Sequence, residues 1–339
     1  MLWRVSLPLA LLGIFVAAAA AAPPAAELRN GRWQPLEAPT TRPVIADSVL
    51  DHVEKLLADN QAPAALKLCI SWIKTHDHNA PQRDRACFLM ARIYYQIDSG
   101  TDRVKAFYYL DEVMDEYPDG KLFYPALEMQ YQIANEFLSG HDLYFLVFPY
   151  SADDYAIEML YRIQQRSPGS PLAEKALLRT ADYYYSNGDY DLAHDAYDRY
   201  WHDYPRSPMV ATAMLREAFS SLAQFRGIRF DPSNILDART QLLDIMTAYP
   251  DLGREENLSA IVAAIDDTLS AKLYVTADFY RRTHEPVAAV YMYRYLIETY
   301  PNAAQVPAAQ AALSRMPQWV LDQPQPLRGS PYMPGREPQ

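Results

Sequence analysis

The sequence predicts an all-α protein built as a stack of helical hairpins, and three observations support this fold class. A unit typified by residues 173–205 contains two amphipathic segments separated by Asn187-Gly188, and it recurs along the chain. Runs in which apolar and polar residues alternate, the pattern of half-buried strands, do not stand out. The 339 residues include only 11 glycines, which is few for an α/β fold with many tight turns.

Residues 173–205 show how one unit is expected to fold. Gly188 ends the first helix, since glycine takes the left-handed C-cap conformation without steric cost, and Asp189 is placed to cap the second helix. Small residues at Ala181 and Ala193 allow the two helices to approach closely. The apolar stripes lie at helical spacing, at Leu177, Leu178, Ala181 and Tyr184 and then at Leu192, Ala193, Ala196, Tyr197 and Tyr200.

This is the tetratricopeptide (TPR) pattern, a hairpin that stacks in arrays because it cannot bury its apolar face alone. Each copy has an alanine near the start of its second helix and ends in Tyr-Pro or Ser-Pro. The alanine and closing proline are Ala106 and Pro118, Ala156 and Pro168, Ala193 and Pro205, Ala238 and Pro250, and Ala289 and Pro301. The recurrence predicts a right-handed solenoid of about six hairpins, closed by a capping helix over residues 303–316.

The expected helix pairs follow the chain in order. They are residues 45–59 with 62–75, 83–97 with 103–117, 123–138 with 152–166, 172–186 with 189–204, 209–225 with 232–249, and 256–282 with 286–300. The first two of these pairs, within residues 46–120, are expected to form an N-terminal TPR segment. An unusually apolar connector, residues 140–150, joins the two helices of the third pair.

The two ends of the chain have different compositions from the repeats. Arg4, the apolar run Leu7–Val16 and the alanine run Ala17–Ala22 predict a cleaved secretion signal over residues 1–22, with an uncleaved anchor helix as the alternative. Residues 23–45 are expected to be a flexible Pro- and Ala-rich leader, and residues 317–339 a disordered Pro-rich tail.

Composition and motifs argue against catalysis and nucleic-acid binding. The formal net charge is −11, whereas phosphate recognition needs clustered Lys and Arg. No HExxH, GxSxG, CxxC or phosphate-binding glycine loop occurs in the sequence, so we expect no enzyme activity and no cofactor. The tract from His76 to His78 is interpreted as a surface loop, because a structural metal site needs three or four converging ligands.

The sequence contains two cysteines, Cys69 and Cys87. They fall on neighbouring helices of adjacent hairpins, so a disulfide is possible in an oxidising compartment. The alternative is two buried thiols that pack as small apolar groups, and the position of both residues on apolar stripes favours it.

A protein-binding surface is the remaining functional expectation. In a stacked array the first helices line the concave face. Aromatic and charged residues mixed on that face suit an extended peptide or a partner segment. The candidates are Lys175, Leu178, Asp182 and Tyr185 in the fourth hairpin and Tyr274, Asp278, Tyr280 and Arg281 in the sixth.

The fifth hairpin contains an irregular insertion, residues 226–231, that has two interpretations. In the first, Asp231 caps the next helix, Phe230 packs, and Arg226 and Arg229 only solvate the loop. In the second, the two arginines dock carboxylates of a partner, since the planar guanidinium suits such contacts. If they are ordinary surface residues, the interface is expected in the sixth hairpin, around Tyr280 and Arg281.

Three stretches carry a family resemblance: SPLAEKALLRTADYYYSNGDYDLAHDAYDRYWHDYPRSP, RFDPSNILDARTQLLDIMTAYP and LSAKLYVTADFYRRTHEPVAAVYMYRYLIETYP. Their order, with the insertion that ends in Phe230-Asp231, resembles the BamD (ComL-like) family of outer-membrane protein assembly factors over residues 121–316. The resemblance implies a non-catalytic periplasmic adaptor at the inner face of the outer membrane. It also implies two kinds of protein partner, a barrel-assembly membrane subunit and unfolded outer-membrane protein segments.

Members of that family are usually lipoproteins, but neither Cys69 nor Cys87 lies beside the predicted signal. We therefore expect membrane association through protein partners rather than a lipid anchor. The alternative is a periplasmic TPR protein of the Tol-associated cell-division coordinator type, which shares the repeats but not the insertion.

Overall fold

The computed structural model describes residues 26–29, 32–35, 47–97, 100–140, 143–145, 148–150 and 152–323. The chain divides into two compact units, residues 1–48 and 49–339. In the first unit, β1 (Ala26–Arg29) pairs antiparallel with β2 (Arg32–Pro35). These eight residues, which lie in the stretch expected to be a flexible leader, therefore have regular backbone pairing. The predicted signal sequence lies outside the described residues.

The second unit is a helical solenoid, as the repeat pattern predicts. Its helices are α1 (Ser48–Ala58), α2 (Ala62–Thr75), α3 (Arg83–Ile97), α4 (Gly100–Glu116), α5 (Phe123–Phe137), α6 (Asp153–Arg166), α7 (Pro171–Asn187), α8 (Tyr190–Asp203), α9 (Val210–Ala223), α10 (Ser233–Ala248), α11 (Pro250–Glu255), α12 (Leu258–Arg282), α13 (Pro286–Thr299), α14 (Val306–Leu313) and α15 (Gln318–Leu321). Between α5 and α6, β3 (Leu143–Phe145) pairs antiparallel with β4 (Phe148–Tyr150).

The six predicted hairpins are present within the described residues. We call α1, α3, α5, α7, α9 and α12 the first helices, and α2, α4, α6, α8, α10 and α13 the second helices. From α2 to α10, each helix packs on the next one along the chain. Buried clusters run across hairpin boundaries: one combines residues from α3 to α7, and another combines residues from α9 to α14. Among the described helices, none is both long enough and apolar enough to cross a membrane.

The fourth hairpin confirms most of its predicted local structure. Gly188 ends α7 with φ of 85°, in the left-handed region that glycine adopts at low cost. Ala181 and Ala193 are fully buried where α7 meets α8, and the rings of Tyr197 and Tyr200 are also fully buried. Asp189 precedes α8 as expected, but its side chain makes no capping hydrogen bond. It accepts instead from Nδ2 of Asn187 at 2.7 Å.

The sixth hairpin begins differently from the prediction. The expected helix over residues 256–282 starts at Leu258, because Asn257 has left-handed φ and ψ of 49° and 44°. The short helix α11 precedes it, with Pro250 in its first turn, where the missing N–H costs nothing. Gly253 of α11 is buried against Met246, and a Cβ added there would lie 3.3 Å from Cγ of Met246. The small residue thus allows α11 to fold back onto α10.

The first residues of the predicted tail, 317–339, contain a short helix. The capping helix α14 is followed by the short helix α15, so residues 318–321 are not disordered. Val320 is buried, and Nη2 of Arg294 in α13 donates to the carbonyl oxygen of Leu321 at 3.0 Å. These contacts with the sixth hairpin order the start of the tail, whereas residues 324–339 lie outside the described residues.

Both cysteines are buried free thiols, so the disulfide alternative is not realised in the structure. Sγ of Cys69 lies 3.5 Å from the carbonyl oxygen of Ala86, which accepts its weak hydrogen bond. Burial raises the pKa of Cys69 to about 12 and also raises that of Cys87. Both side chains therefore pack as small neutral groups.

Buried polar bridges connect successive second helices in the N-terminal half of the solenoid. Arg83 of α3 donates to the carbonyl oxygen of Ile73 in α2 and to Glu112 of α4, both at 3.2 Å. Asp111 of α4 accepts from Gln130 of α5 at 3.2 Å and from Arg166 of α6 at 2.6 Å. Because breaking a buried ion pair costs about 3–5 kcal/mol, these bridges fix the spacing of the hairpins.

Two similar bridges continue in the C-terminal half. Glu217 of α9, only 3% exposed, accepts from Nε1 of Trp201 in α8 at 2.6 Å and from Nε2 of Gln241 in α10 at 2.5 Å. Arg239 of α10 donates to Asp266 of α12 at 2.5 Å. Each bridge therefore joins side chains from consecutive hairpins.

Close packing at Ala193 generates a stability prediction. We expect Ala193→Trp to lower the free energy of unfolding by about 1–3 kcal/mol, because an indole cannot fit between α7 and α8 without displacing them. Urea unfolding followed by circular dichroism measures the change. Ala264→Trp is the matched control, because Ala264 lies on an exposed face of α12. Equal stability of the two variants would show that Ala193 does not limit helix approach.

The protonation of Glu217 should make stability depend on pH. Burial raises its pKa above the ordinary 4.5, although the Trp201 hydrogen bond and nearby His194 act against this rise. The folded chain thus holds this proton to higher pH than the unfolded chain does. The associated stability is fully present below pH 4.5 and is lost as the pH rises through the raised pKa.

We expect Glu217→Gln to remove this loss. The glutamine retains an oxygen that accepts from Trp201. In the structure, Oε1 of Gln241 is buried and has no partner. Rotation of the Gln241 amide would bring this oxygen to the new amide N–H of residue 217, which could then donate to it. Between pH 4 and pH 7, the variant should therefore keep its unfolding free energy where wild type loses part of its own. Urea titrations across this range test it, with exposed Glu255→Gln as control. Parallel pH profiles of Glu217→Gln and wild type would contradict the expectation.

Candidate functional site

An open cleft of about 630 Å³ lies beside the insertion of the fifth hairpin. One wall comes from Gly188, which follows α7, and from Tyr190 and Asp191 at the start of α8. The other comes from the end of α9, the insertion and the start of α10, with Ala223, Gln224, Arg226, Phe230, Asp231 and Asn234. The cleft therefore spans the boundary between the fourth and fifth hairpins.

Hydrogen bonds hold the two walls of this cleft together. Nε2 of Gln224 donates across it to the carbonyl oxygen of Tyr190 at 3.1 Å. Nδ2 of Asn234 donates to Oε1 of Gln224, also at 3.1 Å. Asp231 accepts from the backbone N–H of Ser233 at 3.3 Å, but Pro232 and not Asp231 occupies the N-cap position of α10, so the predicted cap is wrong by one residue. The fourth hairpin is therefore joined to the end of α9, and Gln224 connects that end to the start of α10.

The sixth hairpin fixes the middle of the insertion. Nζ of Lys272, on α12, donates to the carbonyl oxygens of Ile228 at 2.8 Å and Phe230 at 2.7 Å. Gly227 has a φ of 111°, which a residue with a side chain rarely adopts, and it lets the chain turn between the two arginines. The lysine thus satisfies two main-chain acceptors of a segment that has no regular secondary structure.

The insertion presents both apolar and charged groups to solvent. The Phe230 side chain is 56% exposed, although a phenyl ring gains most free energy when it is buried. Arg226 and Asp231 line the cleft and are exposed, with the carboxylate of Asp191 on the opposite wall. Arg229 is exposed but does not line the cleft. An aromatic anchor beside an arginine is typical of a protein-binding site rather than a reaction centre.

The predicted residues of α7 are mostly committed to contacts within the solenoid. Asp182 accepts from the hydroxyl of Tyr197 at 2.6 Å and pairs with the guanidinium of Arg216 on α9. The ring of Tyr185 packs edge-on against Tyr197, with 6.2 Å between centroids. Lys175 is exposed. Asp182 and Tyr185 therefore stabilise the junction of α7, α8 and α9, whatever else they contact.

The predicted residues of α12 form a second group. Asp278 accepts from Nε of Arg281 at 3.0 Å, one helical turn away. The ring of Tyr274 packs against Tyr293 of α13, with 5.6 Å between centroids, and Tyr280 is half-buried. Among the described residues, no group of three or more His, Cys, Asp or Glu side chains could hold a metal ion.

A family model described as "YfiO: Outer membrane lipoprotein" matches residues 148–320, about half of the chain. The chain belongs to this family.

The YfiO match includes the whole cleft and every predicted binding residue. A similar curated protein is the outer membrane protein assembly factor BamD of Caulobacter vibrioides, which is 21% identical over 154 residues. That alignment covers 45% of this chain and 50% of the relative, so the chain spans about half of the length of the curated relative it matches. Helices α1 to α5 precede the matched range.

The sequence alone identifies the insertion, residues 226–231, but not the residues that face and support it. The opposite wall includes Tyr190 and Asp191, the first two residues of α8, which the sequence analysis treats only as the start of a helix. Lys272 gave no sequence signal, because its role depends on a contact across 42 residues with Phe230. Such long-range pairs appear only once the hairpins are stacked.

Lys272 generates a prediction about the insertion. Hydrogen bonds to charged groups contribute roughly 1.5–3 kcal/mol each, so Lys272→Met should release the loop. Because trypsin cleaves after arginine, we expect cleavage after Arg226 and Arg229 to become at least tenfold faster. Limited proteolysis with mass spectrometry measures the rate, and Lys175→Met serves as a control that removes an exposed lysine. Unchanged cleavage would show that other contacts hold the insertion.

Proposed function

We propose that this protein is a non-catalytic TPR adaptor in the assembly of outer-membrane β-barrel proteins. The observation that carries the proposal is the insertion of the YfiO region, which is held by Lys272 while it exposes Phe230 and Arg226 beside an open cleft. Energetically important residues at protein interfaces are enriched in aromatic residues and arginine. The similarity to the Caulobacter relative, an outer membrane protein assembly factor, supports the biological setting.

Two kinds of partner fit this proposal. The insertion would dock the periplasmic part of a barrel-assembly membrane subunit through carboxylates that meet Arg226 and Arg229. The first-helix face, with residues such as Lys175 and Tyr274, would receive unfolded segments of outer-membrane proteins. The protein would act in the periplasm at the inner face of the outer membrane.

Membrane association through these partners, rather than through a lipid, is part of the proposal. Lipid attachment needs an accessible cysteine thiol. Both cysteines of the sequence, Cys69 and Cys87, are fully buried in the helical array. Their burial supports packing as their role.

The arginines of the insertion provide the functional test. We expect Arg226→Glu combined with Arg229→Glu to weaken partner capture at least tenfold, or about 1.4 kcal/mol, because like charges would face the partner carboxylates. The affinity-tagged variant and wild type are compared by pull-down from solubilised envelopes, with quantitative mass spectrometry of the barrel-assembly subunit. The melting temperature should stay unchanged, since both side chains are exposed.

Arg206→Glu combined with Arg315→Glu is the matched control, because it makes the same charge change at two other exposed positions. Equal loss in both double variants would indicate a non-specific effect of net charge. Full capture by the Arg226 and Arg229 variant would contradict the role of the insertion. Capture of Tol or peptidoglycan-synthesis proteins instead of barrel-assembly proteins would contradict the proposed function itself.

A further inference from the structure

The junction between second helices α6 and α8 differs from its neighbours. In α5 and α9, the fourth residue after a fully buried alanine carries a polar side chain that joins a bridge: Gln130 follows Ala126, and Glu217 follows Ala213. In α7 the same spacing from buried Ala176 leads to Thr180. The hydroxyl of Thr180 donates to the carbonyl oxygen of Ala176 at 2.9 Å, within its own helix.

The short side chain of Thr180 leaves a groove of about 470 Å³ between α6 and α8. Helix α7 forms its floor with Leu177 and Thr180. Tyr161 of α6 and Leu192 of α8 stand on opposite walls and are 52% and 46% exposed. Apolar side chains of this size usually contact other apolar groups, so a groove lined by them on both walls is suited to an apolar ligand.

Carboxylates border this apolar groove. Of its four charged lining residues, three are acidic, namely Asp154, Glu158 and Asp195, and Glu158 already accepts from Nη2 of Arg162 at 2.5 Å. The fourth, Arg199, already donates to Asp203 at 3.2 Å. The Asp195 side chain is 84% exposed, so its charge faces solvent at the rim. A ligand that complements the groove therefore combines an apolar stripe with positive flanks.

We propose that the groove between α6 and α8 binds a helix of a partner protein whose apolar stripe is flanked by lysine or arginine. The α6 wall runs from Asp154 to Gln164, which at 1.5 Å per residue corresponds to about 15 Å, or three turns of a docked helix. Apolar residues spaced three and four apart on that helix would contact Tyr161, Leu177 and Leu192, and its basic residues would meet Asp154 and Asp195. This surface is separate from the insertion and goes beyond the proposed function.

A pair of synthetic probes tests the proposal. Both are fluorescein-labelled 14-residue helical peptides with leucine at positions i, i+3, i+4 and i+7, one with lysine and the other with glutamate at its flanking positions. Fluorescence anisotropy with the full chain should give at least tenfold tighter binding of the lysine peptide. Thr180→Gln, which fills the floor, and Leu192→Lys, which places a cation on the wall, should each weaken that binding at least tenfold.

Matched variants locate the binding site. Leu236→Lys makes the same change as Leu192→Lys at a partly exposed leucine of α10, 36% exposed, and should leave peptide affinity unchanged. Asp154→Asn combined with Asp195→Asn changes only exposed side chains, so this double variant should fold even if Thr180→Gln does not. It tests the charge of the groove and should also weaken binding of the lysine peptide at least tenfold. Melting temperatures identify any unfolded variant.

Several results would overturn the proposal. The first is no binding of the lysine peptide, and the second is equal binding of the two peptides. The third is an affinity for the lysine peptide that stays unchanged in groove variants that fold, because the peptide would then bind acidic surface elsewhere. The Arg226 and Arg229 double variant should retain the peptide. Failure at the groove and failure at the insertion are therefore distinguishable.

Discussion

One helical hairpin of this protein can cover only part of its apolar surface, and the neighbouring hairpin must cover the rest. The buried cluster that contains Phe107 of α4 also contains Leu127 of α5 and Ala176 of α7. No hairpin is therefore a separate stable unit, because removing a neighbour exposes its core to water. This constraint gives the insertion of the fifth hairpin a fixed support on both sides, from α8 and from α12.

Polar bridges between hairpins add specificity to this apolar stacking. Buried charges such as Asp111 and Glu217 lose hydration, and their hydrogen bonds only approximately offset that loss. Their contribution lies in which neighbours they accept: Asp111 requires arginine on α6, and Glu217 requires donors on α8 and α10. At the equivalent position of α7, the shorter side chain of Thr180 bonds within its own helix and forms no such bridge. A groove lies there between α6 and α8.

Local signals in the sequence predict the hairpins well. The alanines, the closing prolines and Gly188 each act over a few residues, so their consequences can be derived from spacing and backbone conformation. The β1–β2 hairpin also had a local signal, since Asn30-Gly31 between two short segments is a strong turn sequence. The leader was interpreted from composition alone, and composition does not contain that information.

The parts that could not be predicted depend on tertiary contacts. The order of α15 comes from Val320 and from Arg294 on another helix, and the shape of the insertion depends on Lys272. In the candidate site, sequence identified Arg226, Phe230 and Asp231 but not the wall formed by Tyr190. Contacts between residues far apart in the chain produce no periodic pattern in the sequence. The complete site is therefore visible only in the folded solenoid.

The proposed function requires that exposed Phe230 contacts the outer-membrane barrel-assembly machinery, and this claim is central. Replacing Phe230 by a photo-crosslinking phenylalanine analogue in growing cells, followed by irradiation and mass spectrometry of the adducts, tests this claim most directly. The same analogue at Val287, 37% exposed on α13, provides the control. We expect a barrel-assembly membrane subunit among the adducts at position 230 and not at position 287. Adducts only with Tol or peptidoglycan-synthesis proteins, or identical adducts at both positions, would contradict it.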